Sequence, residues 1–257
     1  MSISGRKGEQ LMLTKRANAV LHKWLATIVS IQLVIWLGTG LYFGLADDPK
    51  ASGNQFRQKV EHKSEDLQTP TLVALKKLSS ELSGAKRVSL VWRLDKPYYL
   101  AYFQETPHGY QKQSVKWFDA ETGAPSVINK NYVTELAQQS LKHAEKTNLM
   151  ENATINYIVT GTKDIPNERN AIWAVALNNT DNTTIYISDV SRKVIAHVDD
   201  HKRLKSLMFQ LHFMDYFNTG GFNNIFSKVF ALLTLLLAIT GIRWLFISKV
   251  WRGKALK

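Results

Sequence analysis

The chain has no cysteine among its 257 residues. That excludes disulfides, thiolate metal sites, iron–sulfur clusters and covalently attached c-type haem. It also lacks the short signatures of several enzyme classes: G-x-S-x-G, a P-loop, H-E-x-x-H, or a nicotinamide or flavin fingerprint. A hydrolase or transferase therefore finds no support, and electrons for any redox chemistry would have to come from another donor. Acidic residues are scarce, 21 against 33 Lys and Arg, for a net charge of +12. No basic–aromatic motif accompanies that excess, so no nucleic-acid partner is expected.

The apolar residues are clumped. From Trp24 to Ala46, "WLATIVSIQLVIWLGTGLYFGLA", no charge occurs, which is enough helix to cross a bilayer core of roughly 30 Å. A second run, Ser227 to Trp251, has a shorter uncharged part, Val229 to Ile242, and reaches spanning length if Lys228 and Arg243 snorkel to the interfaces. Gly44-Leu45-Ala46 loosely resembles a signal cleavage site, but the run is longer than a signal-peptide core and begins late, so it reads as an anchor. Residues 1–23 carry five Lys/Arg and one acid, and residues 243–257 five Lys/Arg and no acid. The positive-inside rule then puts both termini in the cytoplasm and the central region outside.

The expected segments are a cytoplasmic N-terminus (1–23), a first membrane helix (24–46), a polar linker (47–65), two helix-plus-sheet units (66–128 and 129–200), an interfacial helix and turn (201–221), a second membrane helix (222–248) and a cytoplasmic C-terminus (249–257). The fold class is α+β. The first unit opens with "TPTLVALKKLSSEL", where Leu72, Leu75, Leu78 and Leu82 recur at helical spacing. "RVSLVWRL" and "YYLAYFQE" read as strands hinged at Asp95-Lys96-Pro97, and "SVKWFDAETGAPSVI" as a hairpin turning at Asp119 to Gly123. The second opens with the helical "VTELAQQSLKHAEK", continues with the strands "TINYIVTG" and "AIWAVALN", and closes on the hairpin "TIYISDVSRKVIAHV". Aligning the hairpins sets Asp119, Thr122 and Gly123 against Ser188, Ser191 and Arg192, a degenerate repeat. Leu72, Leu75, Val91, Tyr99, Trp117, Ile155, Trp173 and Ile187 are expected inside.

"WFDAETGAPSVI" looks like the hairpin of PepSY domains. Together with the H-x-W of "LHKW", the T-G of each apolar run and the L-H-F of "FQLHFMDYF", it resembles the PepSY-associated transmembrane family of bacterial inner-membrane proteins. The chain departs from larger members, which have four or more membrane helices. Some of those are haem-bearing reductases of ferric siderophores. The resemblance thus implies haem b with His22 and His212 as axial ligands of the iron, and transfer of electrons to a periplasmic acceptor. A non-enzymatic module that docks on or restrains a partner protein is the alternative.

On the residues alone, His22 is equally an interfacial histidine beside Lys23 and Trp24, and His212 one hydrogen-bonded at a helix end. Asp215, three residues on, is placed to orient the His212 imidazole. Phe213, Phe217 and Phe222 are placed to shield a flat cofactor. His201 reads as solvated, and His62, His108, His143 and His197 as surface residues. His22 and His212 lie at opposite membrane faces, so bis-histidine haem would need a second copy of the chain or a larger membrane partner. Gly38 and Gly40, and Ala238 and Gly241, offer small surfaces for that packing.

Overall fold

The computed structural model of the chain describes residues 3–58, 70–104, 112–142, 149–219 and 221–254. It divides into two compact units, one of Met1–Ala46 with Leu207–Lys257, the other of Asp47–Ser206. The polar histidines His62, His108 and His143 lie outside the described residues.

In the first unit, helix α1 (Ile3–Leu45) packs along helix α5 (Ile225–Lys254). Both contain stretches long and apolar enough to cross a membrane, Thr14–Leu45 and Ile225–Phe246. Their apolar side chains point outward: Leu37 is 66% exposed and Leu235 57%. The residues turned inward include Asn18, Gln32, Thr39 and Thr240 beside Leu25 and Phe230. Polar groups between the helices and hydrocarbon on the outside is the arrangement of a pair that meets lipid rather than water.

The second unit holds two antiparallel sheets. The first has the order β1 (Arg87–Arg93), β2 (Lys96–Tyr102), β3 (Val115–Asp119). Leu94 and Asp95 make the β1–β2 turn, both at positive φ (50° and 57°), as a two-residue turn of the mirror-image type requires. The second sheet has the order β4 (Thr154–Ile158), β5 (Ile172–Ala176), β6 (Thr184–Ser188), β7 (Val194–Val198). Helix α3 (Lys130–Ser140) packs on it through Val133, Leu136 and Ala137, and its first turn is capped by the Asn129 side chain, which accepts from Tyr132 N. Short helix α2 (Asp48–Ala51) opens the unit. Helix α4 (Asp200–Phe213) follows β7.

Two expectations for this unit are corrected. The helix over Thr71–Leu82 shrinks to a single 3₁₀ turn, Leu75–Leu78. Ala74 is extended (φ −62°, ψ 133°), and Val73 before it is tied to the sheet, its N–H donating to Ala120 O and its carbonyl accepting from Tyr99 Oη, so the turn begins only at Leu75. Leu78 is buried against the first sheet, while Leu72 and Leu75 are exposed. Of the remaining positions expected inside, Tyr99, Trp117 and Ile187 are buried, and Val91, Ile155 and Trp173 half-buried. The polar stretch after Ala46 is also not a linker throughout, because Arg57 bridges to Leu141 and Lys142 N donates to Phe56 O.

The repeat is retained at its two turns. Asp119 Oδ1 accepts from Thr122 N at 2.8 Å, and Ser188 Oγ accepts from Ser191 N at 3.1 Å. Gly123 N donates to Asp119 O at 2.8 Å, and Arg192 N to Ser188 O at 2.9 Å. Gly123 has φ 75° and Arg192 φ 52°. Arg192 thus adopts the left-handed backbone that glycine supplies in the first copy, at a cost of about 1–2 kcal/mol.

Candidate functional site

Helix α4 ends where Met214, at φ 53°, turns the backbone left-handed. Asp215 N donates back to Gln210 O at 2.9 Å and Met214 N to Leu211 O at 3.4 Å, the paired bonds of a Schellman cap. The other last-turn carbonyls are taken by side chains of the two long helices. Gln32 Nε2 donates to Leu211 O at 3.2 Å, and Trp36 Nε1 to His212 O at 2.5 Å. Asn224 Nδ2 and Ser227 Oγ both donate to Phe213 O at 2.9 Å. The backbone of His212 is therefore held by α1, and that of Phe213 beside it by the start of α5, before the imidazole makes any contact.

The ring itself meets Thr39, with Nδ1 2.8 Å from Oγ1. The Thr39 hydroxyl lies 2.8 Å from Ile35 O and 3.1 Å from Trp36 O, in position to donate to the backbone one turn earlier. A hydroxyl has one proton. With that proton on the helix carbonyl, Thr39 accepts, so His212 Nδ1 carries the hydrogen and Nε2 keeps its lone pair. Trp36, Phe43 and Phe213 surround the imidazole, with ring centroids 6.0, 5.8 and 5.1 Å away.

His22 repeats the arrangement at the other end of the helix pair. Its Nδ1 lies 2.9 Å from Thr240 Oγ1, and that hydroxyl donates to Leu237 O at 2.9 Å. The tautomer follows as before: hydrogen on Nδ1, lone pair on Nε2. Asn18, one turn before His22, donates to Thr240 O at 3.3 Å. Gly241 lies close to the ring, and a Cβ there would come 3.3 Å from His22 Cε1. Among the described residues, no protein group is bonded to Nε2 of either histidine. Each T-G of one long apolar helix thus receives a histidine carried by another helix. Thr39 stands 17 residues beyond His22 on α1, about 26 Å at about 1.5 Å per residue, so the two rings occupy separate levels.

Asp215 lies beside His212 in sequence but serves the turn. Its Oδ1 accepts from Thr219 N at 2.9 Å and Thr219 Oγ1 at 2.8 Å, while the described partner of the His212 ring is Thr39. Phe222 packs edge-on against Phe213, and Phe217 packs against Phe226. Of the three phenylalanines named from sequence, Phe213 is the one whose ring contacts that of His212. The threonines were not singled out by sequence reasoning, although T-G recurs in both apolar runs. Only the pairing of α1 with α4 and α5 shows what the hydroxyls face.

His201 is exposed, as expected. His197 is not a surface residue: it sits on β7 at 1% exposure, with Nε2 2.9 Å from Ser140 Oγ. The strand's alternation turns that side chain under α3.

No curated protein and no solved structure matches the chain. A family model described as the PepSY-associated TM region matches residues 5–249, which take in both long helices, both sheets and both histidine–threonine pairs. The chain is a membrane protein and belongs to the PepSY-associated transmembrane family.

Proposed function

We propose that the chain is an inner-membrane component that holds haem b through His22 and His212 and passes electrons to a periplasmic acceptor such as a ferric siderophore. The observation carrying this reading is the Thr–His pair at each level. Thr39 and Thr240 hold the proton on Nδ1 and leave Nε2 as an unprotonated donor, the form in which imidazole ligates iron. The residues present therefore fit the group. Trp36, Phe43 and Phe213 pack around the half-buried His212 ring, and Gly241 lets the helix approach the His22 ring closely. When bound, haem supplies reversible one-electron transfer. One chain brings one histidine to each level, so a second copy or a larger membrane partner supplies the opposite ligand.

The test is the absorbance of the protein purified from haem-replete cells with its natural partners. The expected result is a Soret band, partly lost in His212→Ala and partly lost in His22→Ala, with both variants still inserted in the membrane. Each substitution removes one of two components. A colourless wild-type preparation would end the haem reading.

A further inference from the structure

Strand β3 is the last strand of a three-stranded sheet, whereas the equivalent strand of the second copy, β6, has β7 beside it. The turns of the two copies share their backbone closure and one side-chain bond, so a fourth strand beside β3 is the position the repeat leads one to expect. It is filled only at its start. The chain after Gly123 pairs with β3 around the Phe118–Pro125 bridge, with Asp119 N donating to Ala124 O at 2.9 Å and Ser126 N to Trp117 O at 2.8 Å, and then leaves. Arg192 is the cause: its Nη2 donates to Ser126 O at 2.6 Å and its Nη1 to Ser126 Oγ at 2.8 Å, taking the carbonyl that a continuing ladder would offer to β3.

The edge left open faces a cavity. Phe103 N donates to Ser114 O at 3.1 Å, and Ala101 pairs with Lys116, so the backbone groups of 114, 116 and 118 turn toward β2. Those of Gln113, Val115 and Trp117 turn away from it. Gln113 N donates to Asn170 Oδ1 and Trp117 O accepts from Ser126 N. Among the described residues, nothing pairs with Val115 N, Val115 O or Trp117 N. A cavity of about 830 Å³ runs along this edge, walled on the far side by Tyr157 and Trp173 and flanked by Val127, which is 84% exposed.

We propose that this groove takes an extended, uncharged apolar segment of a partner protein, added as the fourth strand of the β1–β2–β3 sheet. Beyond Ser126, which already lies opposite Trp117, the N–H and C=O of Val115 both point out from the edge, and such a pair is matched by another extended backbone. The charges in the walls are already engaged: Lys116 with Glu81 at 3.7 Å, Asp189 with Trp173 Nε1 at 3.0 Å, Arg192 with Ser126. Apart from Gln113, Ser114 and Ser126 the remaining surface is aromatic and aliphatic, so it favours uncharged, apolar side chains. A cavity walled on both sides admits one chain, whereas a second copy would have to bring its whole sheet. This inference stands apart from the histidine pairs and holds with or without haem.

The test uses the full-length protein in detergent and a fluorescently labelled, end-blocked eight-residue peptide of alternating Val and Thr. Anisotropy should report saturable binding. A peptide N-methylated on alternate amides, which deletes the donors facing β3, should bind at least tenfold more weakly, and so should one of alternating Glu and Lys. On the protein side, Val115→Pro removes an N–H that points away from β2 and leaves the β2–β3 ladder intact, which an edge strand tolerates. It should weaken binding of the parent peptide at least tenfold, with the far-ultraviolet circular dichroism unchanged. Equal binding of parent and methylated peptides to the wild-type protein overturns the proposal, as does no saturable binding by the parent peptide. A wild-type dimer that Val115→Pro dissolves, with no peptide bound, would assign the edge to a second copy and also overturn it.

Discussion

Three histidines of this chain take different roles from the proton of a neighbouring hydroxyl. Thr39 and Thr240 leave His212 and His22 with free Nε2 lone pairs at the helix pair. Ser140 Oγ donates to Ala137 O at 2.7 Å, so His197 must donate to it through Nε2. Its Nδ1 lone pair is then buried without a partner. Protonating that nitrogen would place a cation under α3, and burial, with Arg57 and Lys202 adding repulsion, pulls the His197 pKa down to about 3. The unfolded chain takes up this proton below about pH 6.5, whereas the folded chain resists until about pH 3, so stability falls as pH drops through that window. At pH 5 the loss should reach roughly 2 kcal/mol relative to pH 7.5, read from denaturant unfolding. His197→Gln retains a donor to Ser140 and should lack this component of the slope; an unchanged slope would show that His197 is not its source. None of this was legible in a sequence that offered His197 as one polar-domain histidine among four. His22 and His212 did stand out, by their place at the ends of apolar runs. Their threonine partners lie 218 and 173 positions away, and helix register over such distances leaves no trace in local spacing.

Among the elements, strands read more reliably than what joins them. Six of the seven strands fall within the runs expected of them, and β2 begins two residues earlier, at Lys96 of the expected hinge. The first helix and the first return strand do not follow their periodicity, since each is overridden from a distance: Val73 is bonded to Ala120, and Ser126 is captured by Arg192. Arg192 is also the joint between the two sheets. Its guanidinium lies 4.4 Å from the Trp117 ring and 5.5 Å from those of Tyr98 and Tyr132, and Trp117 Nε1 donates to Val190 O beside it. Arg192→Ala retains the strained left-handed backbone and loses two charge-assisted bonds and the aromatic contacts. It should destabilise the sheet unit by about 3 kcal/mol in chemical denaturation. Arg192→Gly should be milder than Arg192→Ala, because glycine removes the backbone strain that alanine keeps. If the two variants unfold alike, the strain at this turn is negligible.

For the whole molecule, the distribution of charge is the basis of the proposed orientation. The sheet unit is nearly balanced in charge, whereas the segments outside the two long apolar stretches hold most of the excess cations. Each cation retained near a membrane end resists transfer across the bilayer, so the two ends should stay on the cytoplasmic side and the sheets should cross. This proposed orientation also decides which histidine faces which compartment: His22 the cytoplasmic half, His212 the periplasmic half. Absence of cysteine makes the test direct, since any thiol introduced is the only one present. Glu121, exposed on the first turn, and Lys257, the last residue, are the positions to compare. In cells with a permeabilised outer membrane and an intact inner one, a membrane-impermeant maleimide should label Glu121→Cys and spare Lys257→Cys. Disrupting the inner membrane should make both react. Labelling of Lys257→Cys in intact cells would place the C-terminus outside and remove the assignment of His212 to the periplasmic level. Replacing the five Lys and Arg of residues 243–257 with Gln should then weaken the preference and produce a population labelled at both positions, because the apolar stretch of α5 fixes only that the helix crosses and not its direction.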